Sequence, residues 1–179
     1  HVRSATYGEV STANCHPFAD GRHLFLHNGQ IGGYARLRRQ IDALIPDALY
    51  PRRRGTSDSE AIFLSALGRG LATDPVGAIA ATLAEIEATA ARTGEAAPIR
   101  FAAIHTDGET LWAYRWASDG PPPSLYWRRE GEGVVIASEP CDDAERWTMV
   151  AADTVLTIRR DGTMRSQAFR PRLPDRAAA

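Results

Sequence analysis

The spacing of apolar residues changes near Ile99. From Tyr34 up to that point they recur every three or four positions. Leu37, Ile41, Leu44 and Ile45 do so within residues 34–45, and Ile62, Phe63, Ala66, Leu67 and Leu71 within residues 57–72. Each set marks the buried face of an amphipathic helix. Ser57 and Glu60 form an S-x-x-E capping box at the head of the second helix. A third helix is predicted to open at Asp74-Pro75, a capping side chain followed by the residue that suits the first helical position, and to stop near Gly94. Ahead of these helices the chain reads as strand ("HVRSATYGEV"), loop ("STANCHPFADG") and strand ("RHLFLHNG").

After Ile99 the period shortens to that of strands. "IRFAAIHTDGETLWAYRWA" predicts a hairpin turning at Asp107-Gly108, and "VLTIRRDGTMRSQAF" a second turning at Asp161-Gly162. Between them lie a proline-rich loop, "DGPPPS", and the stretch "SLYWRREGEGVVIASEP". Helices in one block and hairpins in another indicate an α+β fold with antiparallel sheets, not a parallel βαβ design. Helices 34–45 and 57–72 are expected to pack on one sheet, with the two hairpins contributing to a second sheet that faces it. No repeat or linker interrupts the pattern. One domain is therefore expected over residues 1–170, with 171–179 as a tail.

Composition narrows the function without choosing it. A chain of 179 residues with 44% hydrophobic and 24% charged residues is ordinary for a globular domain. The net charge of −1 supplies no field to attract nucleic acid or an anionic membrane. All basic side chains are arginine, with no lysine anywhere. Cys15 and Cys141 are too few for a secreted disulfide framework. No apolar run approaches the ~18 residues a membrane-spanning helix needs. A bacterial, cytoplasmic protein is the resulting expectation.

"HLFLHNGQIGGY" poses a chemical question. Asn-Gly between two hydrophobic runs usually turns a hairpin, yet a helix, not a second strand, follows Gly32-Gly33. Asn28-Gly29 is therefore read as ending a strand and presenting its donors to a ligand, since an asparagine N–H and an adjoining glycine N–H can point at one oxyanion. Arg3 can grip a carboxylate with two parallel bonds. Asp58, near a helix start, can pair with an α-ammonium. Together these groups suit a free α-amino acid with an amide side chain.

Five stretches in order, "HVRSATYG", "NCHPF", "HNGQI", "TSDSE" and "ASEP", resemble the class II glutamine amidotransferases, in particular their small stand-alone branch with its ergothioneine-pathway amidohydrolase. The resemblance runs from His1 to about Gly162. It implies a four-layer αββα sandwich of the N-terminal-nucleophile hydrolases, and hydrolysis of the γ-amide of glutamine through a thioester on an N-terminal cysteine. It also implies that Arg3, supported by Thr6, holds the substrate α-carboxylate. Asp58 would bind the α-ammonium, and Asn28 with Gly29 would form the oxyanion hole. No cofactor and no metal is implied; the partner is glutamine or a γ-glutamyl compound, with room for a separate acceptor enzyme or a homo-oligomer. The terminal cysteine of the family pattern is not among these residues, and Tyr7 stands where synthase-type members carry histidine. The chain is thus expected to be a member whose fold is incomplete at its N-terminus and which is inactive by itself. Two alternatives remain: a γ-glutamyl amidohydrolase acting on a thiol-histidine conjugate, and a glutamine-binding domain without chemistry.

Simpler readings stand beside several of these residues. Cys15 and His16 are neighbours in an extended segment and would point apart, so they make a poor catalytic dyad. Cys141 reads as an ordinary partly buried thiol. The five histidines show no metal-ligand spacing, and His27 is expected to orient the loop around Asn28. Arg52 to Arg54 read as a solvated loop, and the four tryptophans as mostly core.

Overall fold

A computed structural model describes residues 11–172, and these form two compact units. One takes residues 11–18 and Ile31–Pro98; the other takes Ala19–Gln30 and Ile99–Arg170. The strand expected at "HVRSATYGEV" lies outside the described residues, and with it Arg3, Thr6 and Tyr7.

The first unit is helical, with α1 at Tyr34–Asp42, α2 at Asp58–Gly68 and α3 at Pro75–Thr93. Their starts follow the local chemistry. Ser57 caps α2 through its side chain, and Asp74 caps α3 by accepting the Gly77 amide at 3.0 Å, with Pro75 in the first turn. Gly94 closes α3 in the left-handed conformation, at φ 71°.

Two helices end earlier than the apolar spacing predicts. In α1 the ladder tightens after Asp42, where Leu44 and Ile45 donate to the carbonyls of Ile41 and Asp42 at 3.0 and 3.1 Å. Pro46 follows, and a proline disfavours helical backbone in the residue before it. In α2 the left-handed Gly70 (φ 87°) turns the chain, and Leu71 donates back to Ala66 at 3.1 Å. Nor does α2 bury a single stripe. Eight consecutive residues from Ser59 to Ala66 are buried, so it is a core helix with little exposed surface.

The second unit is built on strands, and both predicted turns are present. The strands are β1 at Phe18–Asp20, β2 at His23–Ile31, β3 at Ile99–Thr106 and β4 at Thr110–Ala117, then β5 at Tyr126–Glu130 and β6 at Gly133–Ala137. β7 at Thr148–Met149, β8 at Thr154–Arg159 and β9 at Met164–Ala168 complete the set. Six form one sheet in the order β1-β2-β3-β4-β8-β9, and three form another in the order β6-β5-β7. The turn between β3 and β4 is held by the Asp107 carboxylate, which accepts the Glu109 and Thr110 amides at 3.0 and 2.8 Å. The α+β class with two antiparallel sheets is therefore observed.

Both hairpins contribute to one sheet, as expected, joined where β4 pairs with β8; β1 and β2 lie in that same sheet, and the smaller sheet comes from residues 126–149. Side-chain alternation gives the large sheet two different faces. Ala102, Ala113, Leu156 and Ile158 share one face of the large sheet and pack with Trp127, Val134 and Ile136 of the small one. The opposite face carries aromatic rings. Phe25, Phe101, Tyr114 and Phe169 are fully buried, with Phe101 6.4 Å from Phe25, 6.1 Å from Tyr114 and 6.4 Å from Phe169 between ring centroids. Two of the four tryptophans, Trp116 and Trp147, are buried.

Candidate active site

β2 does not stop at Asn28-Gly29; it continues to Ile31, two residues beyond the end the sequence suggests. The pair lies within the strand, and Asn28, Gly29 and Gln30 are exposed. Gly29 adopts φ 153°, in a range that residues with a Cβ rarely occupy. A Cβ there would collide with the Arg100 carbonyl and stand 2.7 Å from Nε2 of His27. Glycine thus lets two backbones approach where any side chain would separate them, and the pair stays exposed without leaving the sheet.

His27 is buried beside it. Its Nε2 lies 3.2 Å from the Arg100 carbonyl oxygen. A carbonyl can only accept, so Nε2 carries the hydrogen. The ring packs against Phe101 at 5.1 Å. His27 therefore ties β2 to β3 next to Asn28-Gly29, in a strand and not in the loop expected around Asn28.

In the helical unit, Asp58 is the first residue of α2. Its Oδ2 accepts the Ile31 amide at 2.9 Å, and its Oδ1 accepts the Ser59 amide at 2.8 Å. Capping falls to Ser57, whose Oγ accepts the Glu60 amide at 3.3 Å. Asp58 is left half-buried at a helix N-terminus, where the backbone favours negative charge.

Glu60 departs from the capping-box expectation. Its side chain turns away from Ser57 and accepts the Arg54 amide at 2.9 Å, the Gly55 amide at 2.8 Å and Nη1 of Arg53 at 2.7 Å. The amides of Thr56 and Ser57 are instead taken by Oδ1 of Asn14, at 2.7 and 3.2 Å. Arg53 is not solvated as the arginine run implies. Its side chain, 4% exposed, also reaches Asp42 at 3.2 Å and the Tyr34 hydroxyl at 2.7 Å. Burial pushes the Tyr34 hydroxyl far above the usual phenol range, and Arg53 opposes that shift.

Asn14, Arg53 and Glu60 escaped the sequence reading as the groups that hold the loop entering α2. The only signal was that two of the five family stretches, "NCHPF" and "TSDSE", contain Asn14 and Glu60. Cys15 and Cys141 are both exposed, the latter contrary to expectation. Among the described residues, no group of three or more His, Cys, Asp or Glu side chains is placed to hold a metal ion. No helix among them is long and apolar enough to cross a membrane.

The model of the family described as class II glutamine amidotransferases matches residues 1–119, a span containing Arg3, Thr6, Asn28, Gly29 and Asp58. The chain belongs to the class II glutamine amidotransferases. A solved glutamine aminotransferase class-II domain protein from Silicibacter pomeroyi shares 40% identity with a TM-score of 0.83, covering 90% of this chain and 74% of that one. The Saccharomyces cerevisiae protein named "Probable glutamine amidotransferase DUG3" is 29% identical, over 89% of this chain and 56% of its own length. The gamma-glutamyl-hercynylcysteine sulfoxide hydrolase of Mycolicibacterium smegmatis is 28% identical, over 88% of this chain and 58% of its own. This amidotransferase chain thus spans little more than half of those two relatives. Its two antiparallel sheets and helices are those of the N-terminal-nucleophile hydrolase fold of the family.

Proposed function

We propose that the protein to which these residues belong hydrolyses a γ-glutamyl amide, glutamine in the first instance, to glutamate and ammonia. Supporting this most directly is the Asn28-Gly29 pair, exposed on a strand whose local geometry admits only glycine. In the proposed reaction a cysteine thiolate attacks the amide carbon. The Asn28 side chain and the Gly29 amide stabilise the oxyanion, ammonia leaves as the thioester forms, and water releases glutamate. Asp58 pairs with the substrate α-ammonium, while Arg3 and Thr6 take its α-carboxylate. Neither Cys15 nor Cys141 bears a free α-amine to act as its own base. We therefore assign the nucleophile to sequence outside these 179 residues, and expect the 179-residue chain alone to bind without turnover.

A second reading concerns the substrate. The mycobacterial relative named as a hydrolase of a γ-glutamyl compound supports a conjugated γ-glutamyl amide in place of glutamine. Both readings are tested by ammonia or amine release from L-glutamine and from a γ-glutamyl thiol-histidine conjugate, using the full-length protein. Asn28→Ala should lower kcat by about 10²–10³-fold, the usual effect of losing one oxyanion donor. Turnover indifferent to Asn28→Ala would overturn the assignment. The ratio of kcat/KM values for the two substrates decides between the readings.

A further inference from the structure

We propose that Asn14 and Glu60 are positioning residues for Asp58 that set the affinity of the site for the α-ammonium of its ligand. The inference rests on the reading of Asp58 given above.

Four consecutive backbone amides precede Asp58, and two side chains capture all of them. Glu60 takes those of Arg54 and Gly55, one on each carboxylate oxygen, and Asn14 takes those of Thr56 and Ser57 on a single oxygen. A loop with its amides satisfied in this way has little freedom left. Asn14 is itself oriented, because its Nδ2 donates to Oγ1 of Thr56 at 3.1 Å. Gly55 permits the close approach, since a Cβ there would meet the Ala13 carbonyl carbon at 3.1 Å as well as the Asn14 side chain. Asn14 and Glu60 are 5% exposed, so these bonds form away from competing water.

Neither side chain is needed to start the helix. Ser57 caps α2, and Asp58 bonds Ile31 and Ser59. What they fix is the backbone entering α2, and with it the direction from which the Asp58 carboxylate leaves the chain. Attraction between a carboxylate and an ammonium depends steeply on distance in a partly desolvated site, so small displacements of Asp58 reach the ligand as lost affinity.

The test compares equilibrium binding of L-glutamate and glutarate, which differ only in the α-ammonium, to the full-length protein by titration calorimetry. Wild type should prefer L-glutamate by tenfold or more, and Asp58→Ala should bring the two ligands close to parity. Asn14→Ala and Glu60→Gln should shrink the preference at least threefold while changing glutarate binding little. Asn14→Asp keeps the acceptor oxygen and should retain the preference. Should Asn14→Ala fail to fold, Thr56→Val removes the acceptor that orients Asn14 and should shrink the preference in the same direction. Full wild-type preference in the folded Asn14, Glu60 or Thr56 variants would overturn the proposal while leaving the role of Asp58 intact. A wild type without preference, unaffected by Asp58→Ala, would overturn that role and the proposal with it.

Discussion

The carbonyl of Arg100 occupies the space a side chain at Gly29 would require. The glycine is therefore a steric condition of the sheet. Gly29→Ala must push β2 away from β3 or twist out of φ 153°, and strain of this kind costs about 1–3 kcal/mol before the clash is counted. Urea unfolding should show a loss of at least ~2 kcal/mol, and amide turnover by the full-length protein should disappear.

Arg53 stands between two acids. Its guanidinium lies 2.7 Å from Glu60 and 3.2 Å from Asp42, with side-chain exposures of 6% and 11% for the acids. Arg53→Met fills similar volume but leaves two buried carboxylates facing each other's charge. Breaking a buried pair on one side typically costs about 3–5 kcal/mol. Chemical denaturation should report a loss in that range. Replacing the exposed Arg36, which pairs with Glu95, should change stability by less than about 0.5 kcal/mol.

His105 offers a pH-dependent test. Burial, reinforced by His23 at 3.0 Å, lowers its pKa from 6.5 to about 4, against a smaller opposing pull from Asp107. The folded state then binds fewer protons than the unfolded chain between those two values. The contribution to stability is complete above pH 6.5 and is lost as the pH falls toward 4, reaching at most about 3 kcal/mol. His105→Phe, which can keep the stacking on Trp112, should flatten the slope of the urea midpoint against pH in that window. An unchanged slope would mean that other groups carry it.

Phe101 sits amid the aromatic layer, contacting Phe25, His27, Tyr114 and Phe169. Phe101→Ala is expected to cost about 3–5 kcal/mol, measured by thermal or urea unfolding. It should also loosen the His27 contact to the Arg100 carbonyl, which hydrogen exchange at the β2 and β3 amides would detect.

The amino-acid sequence alone determined the features whose causes span a few residues. Asp74-Pro75 opens α3 and Gly94 closes it, Ser57 caps α2, and Asp107-Gly108 turns a hairpin. Each depends on a side chain meeting backbone two or three positions away, or on a glycine free to turn left-handed, and spacing reveals both directly. The order of family stretches likewise pointed to the class II glutamine amidotransferases without any coordinates. Tertiary structure alone decided which distant groups meet. β1 and β2 share a sheet with both hairpins, while residues 126–149 form a sheet of their own, because alternation within a strand does not say which strand lies beside it. The capping box was half realised because Asn14, forty-three positions earlier, supplied the acceptor for Ser57 and left Glu60 free to hold Arg53. An arginine in a run of three looks solvated until two acids and a tyrosine from elsewhere in the unit surround it. Local chemistry sets where elements begin and end, whereas burial and charge pairing depend on contacts that only the folded chain brings together.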